Sequence, residues 1–119
     1  MSEILFPAIY KHYKGMFYIT LGIAHLETKQ CIQAKIKQAK SVYVLDGLNT
    51  ETKKHASVYK IDGEYYAHID SYGEEESVVY VNTFQPDKPY IRPTRVFKEV
   101  VNGKERFKLH KILNKEAIK

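Results

Sequence analysis

Apolar Phe17, Ile19, Leu21 and Ile23 alternate with Tyr18, Thr20, Gly22 and Ala24 in the stretch MFYITLGIAH. Successive strand residues point to opposite faces, so this period of two predicts one long β-strand. Its first set would form an apolar face, its second a smaller and more polar one. Gly22 marks a bend or a close approach, as glycines inside strands do. His25 continues the apolar series and is expected on that face, near the strand end, as a hydrogen-bonded core histidine.

Short strand patterns separated by turn signals recur along the chain. SVYKIDGEYYAHI predicts strands over Val58–Ile61 and Glu64–Ile69 around Asp62-Gly63, and EVVNGKERFKL repeats the logic around Asn102-Gly103. Asp-Gly and Asn-Gly tolerate the positive φ of two-residue hairpin turns. Lys14-Gly15, Asp46-Gly47 and Tyr72-Gly73 are further turn candidates. ESVVYVNTF reads as a strand bounded by Pro86, and PYIRP as an extended piece held between Pro89 and Pro93. The tail HKILNKEAIK reads as a last strand running into a helical turn or a frayed end. SVYVLDG at 41–47 echoes SVYKIDG at 57–63, which two similar strand–turn units explain.

One stretch departs from this pattern. ETKQCIQAKIKQAK sets Ile32, Ile36 and Ala39 at helical spacing, while Ile32, Ala34 and Ile36 also alternate with Gln33, Lys35 and Lys37. Good helix formers without Gly or Pro favour a short helix. The whole pattern predicts a mainly β chain, an antiparallel barrel or strongly bent sheet with one short helix. A length of 119 residues suits a single domain, 1–119, with a modest core.

Composition narrows the classes. No apolar run approaches the roughly 20 residues of a membrane span. The start lacks a basic leader before a long apolar stretch, so no signal peptide is expected. The single cysteine, Cys31, has no internal partner and reads as a small apolar residue in a cytoplasmic protein. Five scattered histidines show no zinc spacing, so no metal is expected, and nothing implies a cofactor. Charge is uneven: residues 41–76 are net −5, while residues 77–119 are net +6. A basic end attracts phosphates, although a solvated, soluble surface needs no ligand at all.

The candidate chemistry concentrates in YKHYKGMFY, residues 10–18. If the segment before Lys14-Gly15 is a strand, Tyr10 and His12 share one face, and Lys11 and Tyr13 the other. Tyrosine faces stack on bases, lysine meets phosphate, and histidine donates or accepts hydrogen bonds. The competing roles are structural. Tyr10 and Tyr18 would close the barrel, Lys14 would cover apolar surface with its stem, and His12 would be a satisfied half-buried histidine. Arg92 sits in a constrained, extended spot, where its planar fork suits phosphate, carboxylate or an internal salt bridge. Tyr90 beside it offers another stacking face.

These motifs resemble a known family. Tyr10, His12-Tyr13-Lys14-Gly15, Tyr18, Leu21-Gly22, Ala24 and Glu27-Thr28 match the signature of a small bacterial family, domain-of-unknown-function family 1653. Its later block is matched by Val78-Val79-Tyr80, Tyr90-Ile91-Arg92-Pro93, Phe97, Glu99, Asn102-Gly103 and Arg106-Phe107. The match covers about residues 9–30 and 78–107, in order. Leu26, Ile91 and Glu105 depart from the residues usual there, and 31–76 intervenes as a β-rich insertion. The resemblance implies an SH3-like barrel and no particular reaction.

The function expected from these readings is a non-enzymatic binding module for an anionic ligand, a nucleotide or nucleic acid. Lys11, His12, Lys14, Arg92 and Arg95 would supply positive charge or polar contacts, and Tyr13 and Tyr90 stacking faces. One form would be a phage-type protein that sequesters a nucleotide signal. The insertion would cover the site or make an oligomer contact. The alternatives are a protein-interaction or assembly module that recruits a partner through strand edges and the acidic insertion, and an enzyme using His12 or His25 as acid or base.

Overall fold

The computed structural model describes residues 4–50, 54–68 and 76–113. The long alternating segment is a strand, but it does not keep one apolar face. β1 (Ala8–His12) turns at Lys14-Gly15 into β2 (Phe17–Glu27). Along one edge β2 pairs antiparallel with β6 (Ser77–Asn82). Along the other it pairs with β1 over residues 17–20, then in parallel with β5 (Glu64–His68) over residues 24–27. A bulge sits at the change of partner. Thr20 lies opposite Tyr80 and Gly22 opposite Val79, with Leu21 the extra residue.

A bulge shifts the alternation by one residue. Tyr18 and Ile23 therefore pack in one cluster, while Leu21, Ala24 and Leu26 pack in the other. The fully buried residues of β2 are Thr20 and Ala24, from the face read as small and polar. His25 stays on the face of Ile23 but lies beyond Ala24, the last residue of β2 paired with β6, and is not a core histidine. Its side chain is 44% exposed, with Nε2 3.1 Å from Glu64 and Nδ1 3.4 Å from Glu76.

β4 (Lys54–Ile61) and β5 form the predicted hairpin, with Asp62 and Gly63 at φ of 48° and 88°. β3 (Val42–Asn49) lies antiparallel to β4, and its end pairs in parallel with β7 (Gln85–Pro93). β7 returns antiparallel to β6, and β6 to β2. These six strands close a barrel in the order β2-β5-β4-β3-β7-β6, consistent with the small SH3-like kind. Two of its pairings, β2–β5 and β3–β7, are parallel, and the others are antiparallel. Segment 31–76 supplies three of the six strands, so it is part of the barrel wall.

The helical spacing, rather than the alternation, is realised in α1 (Lys29–Gln38). The Thr28 hydroxyl accepts the Cys31 N–H at 3.2 Å and so caps the first turn, and Ile32 anchors the helix fully buried. α2 (Thr94–Phe97) follows β7; a small hairpin, β8 (Val100–Val101) and β9 (Lys104–Glu105), turns at Asn102-Gly103 as predicted. β10 (Phe107–Ile112) then pairs with the free edge of β1. β10, β1 and the first half of β2 thus form a wing on the barrel.

Two cores follow from this arrangement. The barrel strands enclose Ala24, Ala56, Val58, Ala67, Val79 and Ile91. Between barrel and wing lie Ala8, Tyr10, Val78, Tyr80, Phe97 and Phe107. β6 divides the cores and is buried along its whole length. Among the described residues, no helix is long and apolar enough to cross a membrane. The expected Tyr72-Gly73 turn, Ile69 and the end of the tail lie outside the described residues.

Asp46-Gly47 is not a turn. Both residues lie inside β3, opposite Ser57 and Ala56. A Cβ on Gly47 would come 2.9 Å from the Ala56 carbonyl oxygen and 3.1 Å from that of Pro89. The glycine therefore permits close approach of two neighbouring backbones. The echoing segments 41–47 and 57–63 are strands that pair with each other, and only the second ends in a turn. Gly47→Ala should cost about 1–3 kcal/mol, the usual range for overpacking, because backbone must move. Gly22→Ala should cost less, since the atoms it meets, at 2.9 and 3.1 Å, belong to the Tyr65 ring. Urea denaturation of both variants checks that order.

Candidate functional site

The motif that carries the candidate chemistry spans the end of β1, a tight turn and the start of β2. Gly15 sits at φ 104°, and its N–H donates to the His12 carbonyl at 2.7 Å. The His12 N–H donates to the Met16 carbonyl at 2.7 Å, and the Tyr13 N–H to the Arg106 carbonyl at 2.9 Å. The last bond ties the turn to the start of β10.

Alternation in β1 sends Tyr10 and His12 inward and Lys11 outward. Tyr10 is 6% exposed and meets Phe97 edge-on at 5.3 Å. The His12 ring lies 4.9 Å from Phe107 and 4.6 Å from Tyr13. Phe107 is the hub of this cluster. It stacks on Phe97 at 4.1 Å, nearly parallel at 3°, and meets Tyr18 and Tyr80 edge-on. The Arg92 guanidinium lies 5.5 Å from the Phe107 ring centre, and its Nε donates to the Tyr80 hydroxyl at 3.1 Å. Arg92 is therefore a half-buried cation held by aromatic faces and a phenol. Burial raises the Tyr80 and Tyr18 pKa values, and the Arg92 charge opposes the rise in both.

His12 is held neutral. Its Nδ1 accepts the Lys14 backbone N–H at 3.2 Å, so the neutral ring carries its proton on Nε2. Burial first, then the charges of Arg92, Arg106 and Lys14, keep its pKa below the ordinary 6.5. At neutral pH His12 is an uncharged hydrogen-bond donor through Nε2.

A cleft of about 420 Å³ opens between this turn, the β8–β9 hairpin and β10, lined by Lys11, His12, Tyr13, Lys104, Glu105 and Lys108. Lys11 and Lys108 are register partners across β1 and β10, and both are exposed. Like charges directly opposite on paired strands repel. The cleft carries three lysines and a single carboxylate, Glu105. Arg106 next to it is committed elsewhere, with Nη2 2.6 Å from Glu99.

The sequence-predicted residues thus separate. Lys11, His12 and Tyr13 share the cleft. Lys14 stands at the turn with its Nζ 5.8 Å from the Tyr13 ring centre. Arg92 reaches His12 electrostatically but faces the aromatic cluster. Tyr90 packs against Tyr18 and Tyr80 in the aromatic cluster, with ring centres 6.1 and 5.7 Å apart, and lines a different cleft of about 510 Å³ with Asp46, His55 and Lys88. Arg95 is exposed on α2. Lys104 and Lys108 complete the cleft and were not singled out. Their signal was the basic C-terminal third, but only the β1–β10 register shows which of its lysines meet Lys11. Among the described residues, no group of three or more His, Cys, Asp or Glu side chains is placed to hold a metal ion.

No family model, no curated protein and no solved structure matches this chain. The resemblance to family 1653 accordingly rests on its motif residues alone.

Arg92→Met should raise the His12 pKa toward 6.5 by removing a nearby cation, readable by NMR titration of the ring protons. It should also cost about 1.5–3 kcal/mol, the range for a hydrogen bond to a charged group. The pH dependence follows from the sign of the shift. The unfolded chain takes up the His12 proton first, so stability falls as pH drops from 6.5 through the folded pKa. That part of the acid loss should shrink in Arg92→Met.

Proposed function

We propose that the protein is a non-enzymatic binding module that takes an anionic ligand in the cleft between β1, β10 and the β8–β9 hairpin. The observation that carries this reading is the opposition of Lys11 and Lys108 across paired strands. In the free protein the pair repels. A phosphate seated between the two ammonium groups replaces that repulsion with two charge-assisted hydrogen bonds.

The rest of the cleft suits the same ligand. Lys104 adds a third cation, His12 offers its Nε2 proton, and the Tyr13 ring, on a residue 38% exposed, offers a stacking face. Phosphate contacts beside a flat ring favour the nucleotide class. The Nδ1 of His12 is engaged by backbone, which favours a donor role over proton abstraction and so binding over catalysis. A phage-type protein that sequesters a nucleotide signal is one form of this reading. The likeness to family 1653 adds expectations for the fold and none for the ligand. A lone cysteine suits a reducing cytoplasm.

Lys108→Glu tests the proposal in two directions at once. It turns a repulsive cross-strand pair into an attractive one, worth roughly 0.2–1 kcal/mol, so the thermal midpoint should rise by a few degrees. Affinity for ATP and for pyrophosphate, measured by calorimetry at two salt concentrations, should fall at least tenfold. Wild-type affinity should itself weaken as salt rises. Stabilisation with unchanged affinity would place the ligand elsewhere, and a wild-type protein that binds neither these probes nor any oligonucleotide would remove the reading.

A further inference from the structure

We infer that the ligand is a single-stranded nucleic acid laid across the outer face of the β10-β1-β2 wing; this rests on the cleft reading and extends it. Strand register defines that face. Lys11 lies opposite Phe17 on β2 and opposite Lys108 on β10, so the three point the same way. Ile9 lies opposite Ile19 and Lys111. The β1–β10 register shifts between Ile9 and Tyr10, making His110 the extra residue of β10. Its ring meets Phe17 at 5.0 Å, which places it on the same outer face. The Lys11 Nζ stands 5.7 Å from the centre of the Phe17 ring.

Two neighbouring rings, Phe17 and His110, are therefore flanked by Lys11, Lys108 and Lys111. None of these positions is acidic. The cleft lies at one end of this surface and continues it with Lys104 and Tyr13. The lysines follow the length of β10: positions 108 and 111 are about 10 Å apart at roughly 3.3 Å per residue. A mononucleotide has its phosphates in one place and would leave Lys111 without a role. A strand with unpaired bases carries repeated phosphates and repeated flat faces, which match a row of cations beside rings. A duplex keeps its bases stacked and paired, so it could not use Phe17 or His110. Acidic peptides and anionic lipid supply the charge but no flat ring at each repeat.

The test is fluorescence anisotropy of the full chain with labelled 12-nucleotide oligo-dT and oligo-U, against ATP, a 12-base-pair duplex and phosphatidylserine vesicles at equal salt. We expect at least one single strand to bind ten or more times tighter than ATP, duplex or vesicles. Preference for either oligomer supports the inference and tells DNA from RNA. With three to four phosphates engaged, the slope of log affinity against log salt should be about −2 to −3. Phe17→Leu and the exposed-site variant His110→Ala should each weaken oligomer binding about fivefold or more, with the slope unchanged. Lys111→Gln should reduce the slope by about 0.7 and leave ATP affinity as it was. Oligomers that bind no tighter than ATP, duplex or vesicles, or binding indifferent to His110→Ala, would overturn the inference while tight ATP binding still upheld the cleft. Failure of ATP, pyrophosphate and oligomers alike would remove both.

Discussion

β2 serves a barrel and a wing because it changes partner at Leu21-Gly22. A strand has two edges, and β6 takes one of them along most of its length. The other is divided between β1, which runs antiparallel, and β5, which runs parallel. The bulge re-aims the strand between these partners. Gly22 sits where the Tyr65 ring closes over the backbone, so a Cβ there would need that ring to shift. Just before it, the buried Thr20 hydroxyl lies 2.6 Å from the Leu5 carbonyl and 3.2 Å from that of Ala8, which fastens β1 and the preceding residues to the barrel. Once β1 is fixed there, its far edge is free for β10, and the lysine-lined cleft forms at their shared end.

The density of YKHYKGMFY follows from this position between two cores. Tyr10, His12 and Tyr18 face the aromatic cluster around Phe107, while Lys11 faces out beside Phe17. One stretch thereby builds the joint between barrel and wing and contributes to the outer surface. The cations sort the same way. Arg92, whose delocalised charge tolerates an aromatic face, is half-buried, whereas Lys11, Lys104 and Lys108 stay in water.

Local signals were readable where one short pattern decides the outcome. The helix at 29–38 was marked by Gly/Pro-free spacing, and the hairpins at Asp62-Gly63 and Asn102-Gly103 by residues that accept positive φ. Non-local facts were hidden. The exposure of His25 depended on where β6 stops covering β2, at Ala24. Gly47 looked like a turn because Asp-Gly is a turn dipeptide; its true reason is the approach of the Ala56 and Pro89 backbones, far away in sequence. In the site, Lys11, His12 and Tyr13 were found through their own motif. Lys108 needed the β1–β10 register and Lys104 the folding of the β8–β9 hairpin against the turn, which no periodicity encodes, and Arg92 and Tyr90 meet the motif at its aromatic cluster rather than in the cleft.

Packing leaves no place for an anion inside this barrel. The barrel interior is filled by Ala24, Ala56, Val58, Ala67, Val79 and Ile91, each at most 3% exposed. Those side chains present no polar group, and an anion there would lose its hydration without a partner. On the proposed reading, the basic C-terminal third would therefore act from the surface, chiefly through β9 and β10. The segment that supplies β3, β4 and β5 has the opposite character, net −5 over residues 41–76. The three strands themselves balance, with Asp46 and Glu64 against Lys54 and Lys60, so on the proposed reading a polyanion would be drawn to the wing by Lys104, Lys108 and Lys111 of β9 and β10.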